Sequence, residues 1–179
     1  MDDQTLAKQF AAGDENAFNE LVLRHRGWVQ GMALKSLGDD ATAQDIAQNV
    51  FVKVYFKIHQ FRFEADFKTW IYRILVNELN HWYRKNKMVT WFSGDADDYH
   101  SYRDNSSDQT VPEYAGTELR KHVKKLPRMQ RSIVVLRVFQ ELPFKDVGKI
   151  LGITENSAKV NFFKAKNNLK KWMKDVNYE

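Results

Sequence analysis

The chain of 179 residues contains no cysteine. That excludes a disulfide framework, a thiolate zinc site and a cysteine nucleophile together. No apolar run approaches the roughly 18 residues of a membrane span, so no membrane insertion is expected. The opening MDDQTLAKQF is acidic and lacks the basic-then-apolar order of a signal peptide. These features lead to the expectation of a soluble, cytoplasmic protein. A Gly-rich phosphate loop, a nucleophile elbow and an H-E-x-x-H pair are also missing, and the five His are scattered. Glu78 and His81 form one E-x-x-H, half of a di-iron bundle signature whose second half is absent. The reading is therefore of a protein with no catalytic residue, no metal ligand and no cofactor, and not an enzyme. Strand-type alternation bounded by turn signals is absent too, which leaves an all-α class.

Charge is present and unevenly placed. The formal net charge is +5, but residues 1–87 carry 12 Lys/Arg against 11 Asp/Glu. Residues 88–117 carry 1 against 6, and residues 118–179 carry 15 against 6. The last third, at +9, has the electrostatic footprint of a polyanion-binding module. The middle stretch SGDADDYHSYRDNSSDQTVPEYAG has no apolar period and reads as a polar linker. Two roles stay open for it: a solvated loop, or an acidic strand that mimics nucleic acid in a basic channel.

Three helices are expected in the first third. Asp14 can cap one from about Glu15 to Leu37, with Phe18, Leu21, Val22, Trp28, Val29 and Met32 at helical spacing. Asp39 or Asp40 can cap the next, whose inward residues are Ile46, Val50, Val54 and Ile58. After a break at QFRFEAD, a third runs from about Phe67 to Asn86 with Ile71, Ile74, Leu75, Leu79 and Trp82 inward. Such a pattern makes a helical bundle.

In the last third, Leu126-Pro127 opens a helix through RMQRSIVVLRVFQ. Pro143 suits the first position of a second helix at 143–151, Gly152 falls where a left-handed residue is wanted, and Thr154 can cap a third. Helix, tight Gly turn, helix is the helix-turn-helix arrangement. On the last helix Ala158, Phe162, Ala165, Leu169 and Trp172 make the buried face, so Asn156, Ser157, Lys159, Phe163, Lys166 and Lys170 face outward. The first of these suit base edges, and the later lysines suit phosphates. A solvated Lys-rich helix in a generic bundle would show the same charge. The coincidence of the Gly turn, the small Gly148 and the +9 charge favours DNA.

The stretch FRFEADFKTWIYRILVNELNHWYRKNK, residues 61–87, interleaves aromatics with Arg and Lys. Stacking surfaces beside backbone-binding cations suit single-stranded nucleic acid. Phe67 and Trp82 are expected in the core, whereas Trp70 and the 61–66 loop are candidates for contact.

The order of DIAQNVFVKVY, FRFEADFKTWIYRILVN, a polar stretch, Leu126-Pro127 and the helix-turn-helix resembles a bacterial RNA polymerase sigma factor of the sigma-70 family. It is similar to the short extracytoplasmic-function (ECF) group, which keeps only the second and fourth sigma regions. The resemblance implies two small helical domains: region 2 at 1–88 and region 4 at 117–179, joined by a flexible acidic linker at 89–116. It implies a transcription initiation factor that binds core polymerase, through the clamp helices of the largest subunit and the beta flap, and helps melt the −10 element. Promoter DNA would be met both as duplex and as melted non-template strand. An anti-sigma factor, or another DNA-bound recruiting factor, would be a further partner. By the same resemblance Asp45, Gln48, Asn49 and Lys53 match the polymerase-facing helix. Phe61, Arg62, Phe63, Glu64, Ala65 and Asp66 match the loop that captures a flipped base, with Trp70, Arg73 and Asn77 beside it. Thr154, Asn156, Ser157, Lys159, Val160, Asn161, Phe163, Lys164 and Lys166 match the −35 reading helix.

Three departures stand out. Asn49 replaces the usual Glu, Phe63 replaces the usual Gly of the loop, and Lys stands where Arg is commoner on the reading helix. Lys keeps phosphate anchoring but lacks Arg's bidentate fork for guanine. A rival reading is a stand-alone helix-turn-helix regulator with a helical effector or dimerisation domain. It explains residues 118–179 equally well and residues 61–87 poorly.

Overall fold

Aspartates start the first three helices. Asp2 accepts from the Thr5 amide at 2.7 Å, opening α1 (Asp3–Ala11). Asp14 accepts from the Asn16 amide at 2.9 Å, opening α2 (Glu15–Leu37), and Asp39 from the Thr42 amide at 2.8 Å, opening α3 (Asp40–Lys57). Each carboxylate satisfies an orphan N–H and meets the positive end of the helix dipole. The Thr42 bonds hold the Asp39 carboxyl below the usual carboxylate range. Gly38, at φ 74, ends α2 in the left-handed conformation.

This computed structural model describes the backbone of residues 1–92 and 113–174 and the side chains of residues 1–86 and 118–173. A single 3-10 turn, Ile58–Gln60, follows α3. Then come α4 (Phe67–Phe92), α5 (Glu113–Lys125) and α6 (Arg128–Val134), which continues as a π turn at Val135–Phe139. The chain goes on through α7 (Phe144–Leu151) and α8 (Glu155–Lys174). Among the described residues every regular element is helical, as expected.

The differences from the sequence reading are local. The helix expected to end near Asn86 runs to Phe92, because no Gly or Pro interrupts the chain before Gly94. Pro143 stands just before α7 rather than as its first residue. Neither α1 nor α5 was singled out, and α5 begins inside the stretch read as a linker.

One apolar core runs through α1 to α4. Leu21, Val29, Met32, Val50, Val54, Phe67, Ile71 and Leu75 are its most enclosed side chains. Full burial of such a residue stabilises by roughly 1.5–3 kcal/mol. The same core continues into the second half through Ile133, Leu136, Val147 and Ile150, while Val123, Leu126, Val134, Ala165 and Leu169 form a satellite under α5 and α8. The two halves are therefore packed on each other.

A buried polar seam fastens that contact. Arg131 directs Nε and Nη2 at Asn80 Oδ1, at 3.2 and 3.0 Å, and its guanidinium lies 4.6 Å from the centre of the Tyr83 ring. Asn80 Nδ2 donates to Ser132 Oγ at 2.9 Å, and Tyr83 donates its hydroxyl to the Ser36 carbonyl at 2.9 Å. A buried guanidinium is tolerable only when so satisfied.

Candidate nucleic-acid and protein interfaces

On α3 the inner face is Ile46, Val50 and Val54, and Asp45, Gln48 and Asn49 are exposed on the outer side. Lys53 is drawn away from them. Its ammonium pairs with the carboxylate of buried Glu78 on α4. This α3 surface also carries exposed Val52, Tyr55 and Phe56, which sequence reasoning missed. With Phe18, Val22, Phe51 and Gln48 they line a groove of about 720 Å³ between α2 and α3. The signal was present: VFVKVYF holds more apolar residues than one helix face can bury. An apolar groove edged by polar groups is the composition of a protein-binding surface.

The loop between the 3-10 turn and α4 is built around aromatic rings. Phe61 is buried, with its ring 4.7 Å from Phe63, 5.6 Å from Phe67 and 5.2 Å from Trp70. Phe61, expected among the DNA-contacting residues, is thus enclosed here rather than presented at the surface. It is a pedestal for Phe63 and Trp70, which are half-buried, while Arg62, Glu64 and Asp66 are exposed and Ala65 half-buried. Phe63 has φ 58, a left-handed backbone that a side chain adopts only under strain of about 1 kcal/mol. Phe63 thus takes a backbone that Gly would adopt without strain.

Trp70, Arg73 and Asn77 follow along one face of α4, at spacings of three and four. Arg73 and Asn77 are exposed on that face, and each is bonded to the second half of the chain. Arg73 donates from Nε to the Ile150 carbonyl at 3.0 Å and from Nη2 to the Lys149 carbonyl at 2.7 Å. Asn77 Oδ1 accepts from Arg128 Nη2 at 3.0 Å. Both residues are held by the second half of the chain.

The helix-turn-helix forms as read. Thr154 Oγ1 accepts from the Ser157 amide at 3.1 Å, and Gly152 takes φ 69 between α7 and α8. A Cβ on Gly148 would lie 2.7 Å from the Ile153 carbonyl oxygen, so the crossing requires Gly. Ala158, Ala165 and Leu169 are buried, and Asn156, Lys159, Val160, Phe163, Lys164 and Lys166 are exposed. Asn161 donates to the Ser157 carbonyl at 2.9 Å, and Lys159 pairs with Glu155 at 2.7 Å. Phe163 is 64% exposed and Val160 46%, apolar groups able to meet a thymine methyl.

Glu78 and His81 are both engaged, with Lys53 and Arg84. Among the described residues no group of three or more His, Cys, Asp or Glu could hold a metal ion.

The model of sigma-70 region 2 matches residues 21–88, and that of sigma-70 region 4 matches residues 117–169. The chain belongs to the sigma-70 family. Its relatives set it in the ECF group. It is similar to the ECF RNA polymerase sigma factor SigW of Bacillus subtilis (strain 168), at 28% identity over 178 residues, covering 94% of this chain and 95% of that one. It is likewise 28% identical to the RNA polymerase sigma-H factor of Pseudomonas aeruginosa, covering 92% and 90%. In fold it resembles CnrH, solved in complex with the cytosolic domain of CnrY, at a TM-score of 0.65, 22% identity and 98% coverage of both chains. It also resembles the sigma factor RpoE of Bartonella quintana, solved with the anti-sigma factor NepR, at a TM-score of 0.64 and 20% identity, covering 88% of this chain and 96% of that one. This protein is a sigma factor for transcription initiation, and the stand-alone regulator reading is not favoured. Helix α1 of this sigma factor precedes the matched region 2 residues.

Proposed function

We propose that residues 1–88 of this sigma factor dock on core polymerase and capture the melted −10 strand, that residues 117–179 read the −35 element, and that residues 89–116 link them. The observation that carries the reading is the aromatic cluster of Phe61, Phe63 and Trp70, with Arg62 and Glu64 exposed at its rim. Duplex opening costs roughly 1–2 kcal/mol per stacked step. A base stacked on an aromatic side chain recovers about 1–3 kcal/mol. Binding energy alone thus supports melting, and this chain needs no catalytic group for it. Nucleotide addition belongs to the polymerase.

Asp45, Gln48 and Asn49, beside the groove at Val52 and Phe56, make the polymerase-facing surface, against which the clamp helices of the largest subunit would lie. Arg73 and Asn77 are exposed but bonded to the second half, and breaking those bonds would free both side chains for DNA. A further partner is an anti-sigma factor, the kind of protein with which RpoE, similar in fold, is solved. The cytoplasm is where such a factor meets polymerase, and the described helices include none long and apolar enough to cross a membrane.

The test has two parts. Asp45→Arg should abolish co-purification with core enzyme. Trp70→Ala should bind closed promoter duplex normally yet fail to give permanganate-reactive thymines. Parental behaviour of both variants would refute the assignment.

A further inference from the structure

Helix α1 lies outside the matched region 2 residues, yet two of its polar side chains end on the loop described above. Gln4 Nε2 donates to the Ala65 carbonyl at 3.0 Å, across 61 residues of sequence. Lys8 Nζ lies 5.7 Å from the centre of the Phe63 ring. The two residues are four apart, so a single helix face reaches the loop at two points.

The other side of α1 fixes where that face sits. Leu6, Ala7 and Phe10 are buried in the bundle, and the Phe10 ring meets Phe18 at 4.8 Å and Tyr55 at 5.3 Å. Asp3 Oδ2 accepts from His25 Nε2 at 2.8 Å, and His25 Nδ1 accepts from Trp28 Nε1 at 2.8 Å. The helix is thereby held by both packing and a relay of hydrogen bonds. The loop, in contrast, contains a non-glycine residue in left-handed backbone and no glycine to relieve it. A strained conformation persists only where its surroundings hold it. Helix α4 holds the loop through the rings of Phe67 and Trp70 on Phe61, and α1 adds Gln4 on Ala65 and Lys8 on Phe63.

We infer that α1 sets the shape of the base-capture loop, with Gln4 and Lys8 as positioning residues that act through Ala65 and Phe63 on the flipped base. This rests on the loop's proposed role in capture. Loss of the Gln4 bond frees the Ala65 carbonyl and with it the neighbouring Glu64 and Asp66. Loss of the Lys8 ammonium releases the Phe63 ring from one side. Either change leaves the apolar anchors of α1 in place.

The experiment uses full-length protein assembled with core polymerase, and a fork-junction DNA pool randomised across the −10 strand. Gln4→Glu keeps the side-chain shape and removes the donor. Lys8→Met keeps the stem and removes the charge, and Lys8→Arg restores it. Gln4→Glu and Lys8→Met should each slow promoter opening about two- to fivefold and flatten the preference at one selected base. Core binding should be unchanged, and Lys8→Arg should behave as the parent. Parental opening and preference in Gln4→Glu and Lys8→Met, while Glu64→Ala changes them, overturns the role of α1 and leaves the capture reading standing. Parental behaviour of Glu64→Ala and Trp70→Ala as well overturns the capture reading itself. A uniform fall in core binding and melting temperature, with base preference intact, shows that α1 only supports the bundle and also overturns the inference.

Discussion

Arg128 Nη2 donates to Asn77 Oδ1 at 3.0 Å, tying the first residue of α6 to the face of α4 that leads away from the loop at 61–66. Asn77 Oδ1 accepts from Arg128 and keeps a second lone pair for another donor. The packing of the two halves ties Arg73 and Asn77, both exposed, to the second half of the chain.

Loosening the seam should favour separation of the two halves. Arg131→Met removes the bonds to Asn80 and the contact with Tyr83, at a cost of about 1–3 kcal/mol to closure. Dyes placed on exposed Gln44 and Lys170 should report a fall in transfer efficiency, and binding of single-stranded −10 DNA should tighten by up to about tenfold as the fraction with Arg73 and Asn77 released rises. Unchanged transfer and affinity would mean that the seam does not control access.

The lysines of α8 should separate into two behaviours. Lys166→Ala should weaken duplex binding alike across sequences and reduce the salt slope by about one unit. Lys159→Ala should relax preference at one base pair, since its ammonium is held at 2.7 Å by Glu155 near the helix start. Identical salt titrations for both variants would refute the division.

Gly148→Ala should be damaging, because its Cβ would meet the Ile153 carbonyl oxygen at 2.7 Å. A loss of about 1–3 kcal/mol in thermal or urea unfolding is expected, along with duplex binding. Gly31→Ala is the control. It lies within α2, nothing approaches its Cβ position within 4 Å, and a gain of about 0.5–1 kcal/mol is expected.

Stability should fall on mild acidification. Burial pushes His25 and His122 below the ordinary histidine value of 6.5, although Asp3 and Glu118 pull the other way. The unfolded chain then takes up protons that the folded chain refuses. The contribution is complete above the unfolded value and is lost as pH falls through 6.5 toward the lower folded values. Melting temperatures measured between about pH 7.5 and 5 should drop, and His25→Gln should flatten part of that slope. An unchanged slope in His25→Gln would exclude His25 as its source.

Local rules accounted for much of the fold. Asp14, Asp39 and Thr154 cap the helices they precede, and Gly152 takes the left-handed backbone, because caps and turns depend on residues within a few positions of each other. The faces of α3 and α8 followed from the helical period for the same reason. The sequence thus determined the all-α class, the helix-turn-helix and which sides of its helices turn inward. Only the tertiary structure decided that Phe61 is a buried pedestal whereas Trp70 reaches the surface, for both fit the same aromatic pattern. It alone joined α1 to the loop through Gln4 and Ala65, and Arg73 to carbonyls 76 and 77 residues away. A helical period states which side is apolar. It carries no information on which distant segment covers the polar side, because that depends on how the two halves pack.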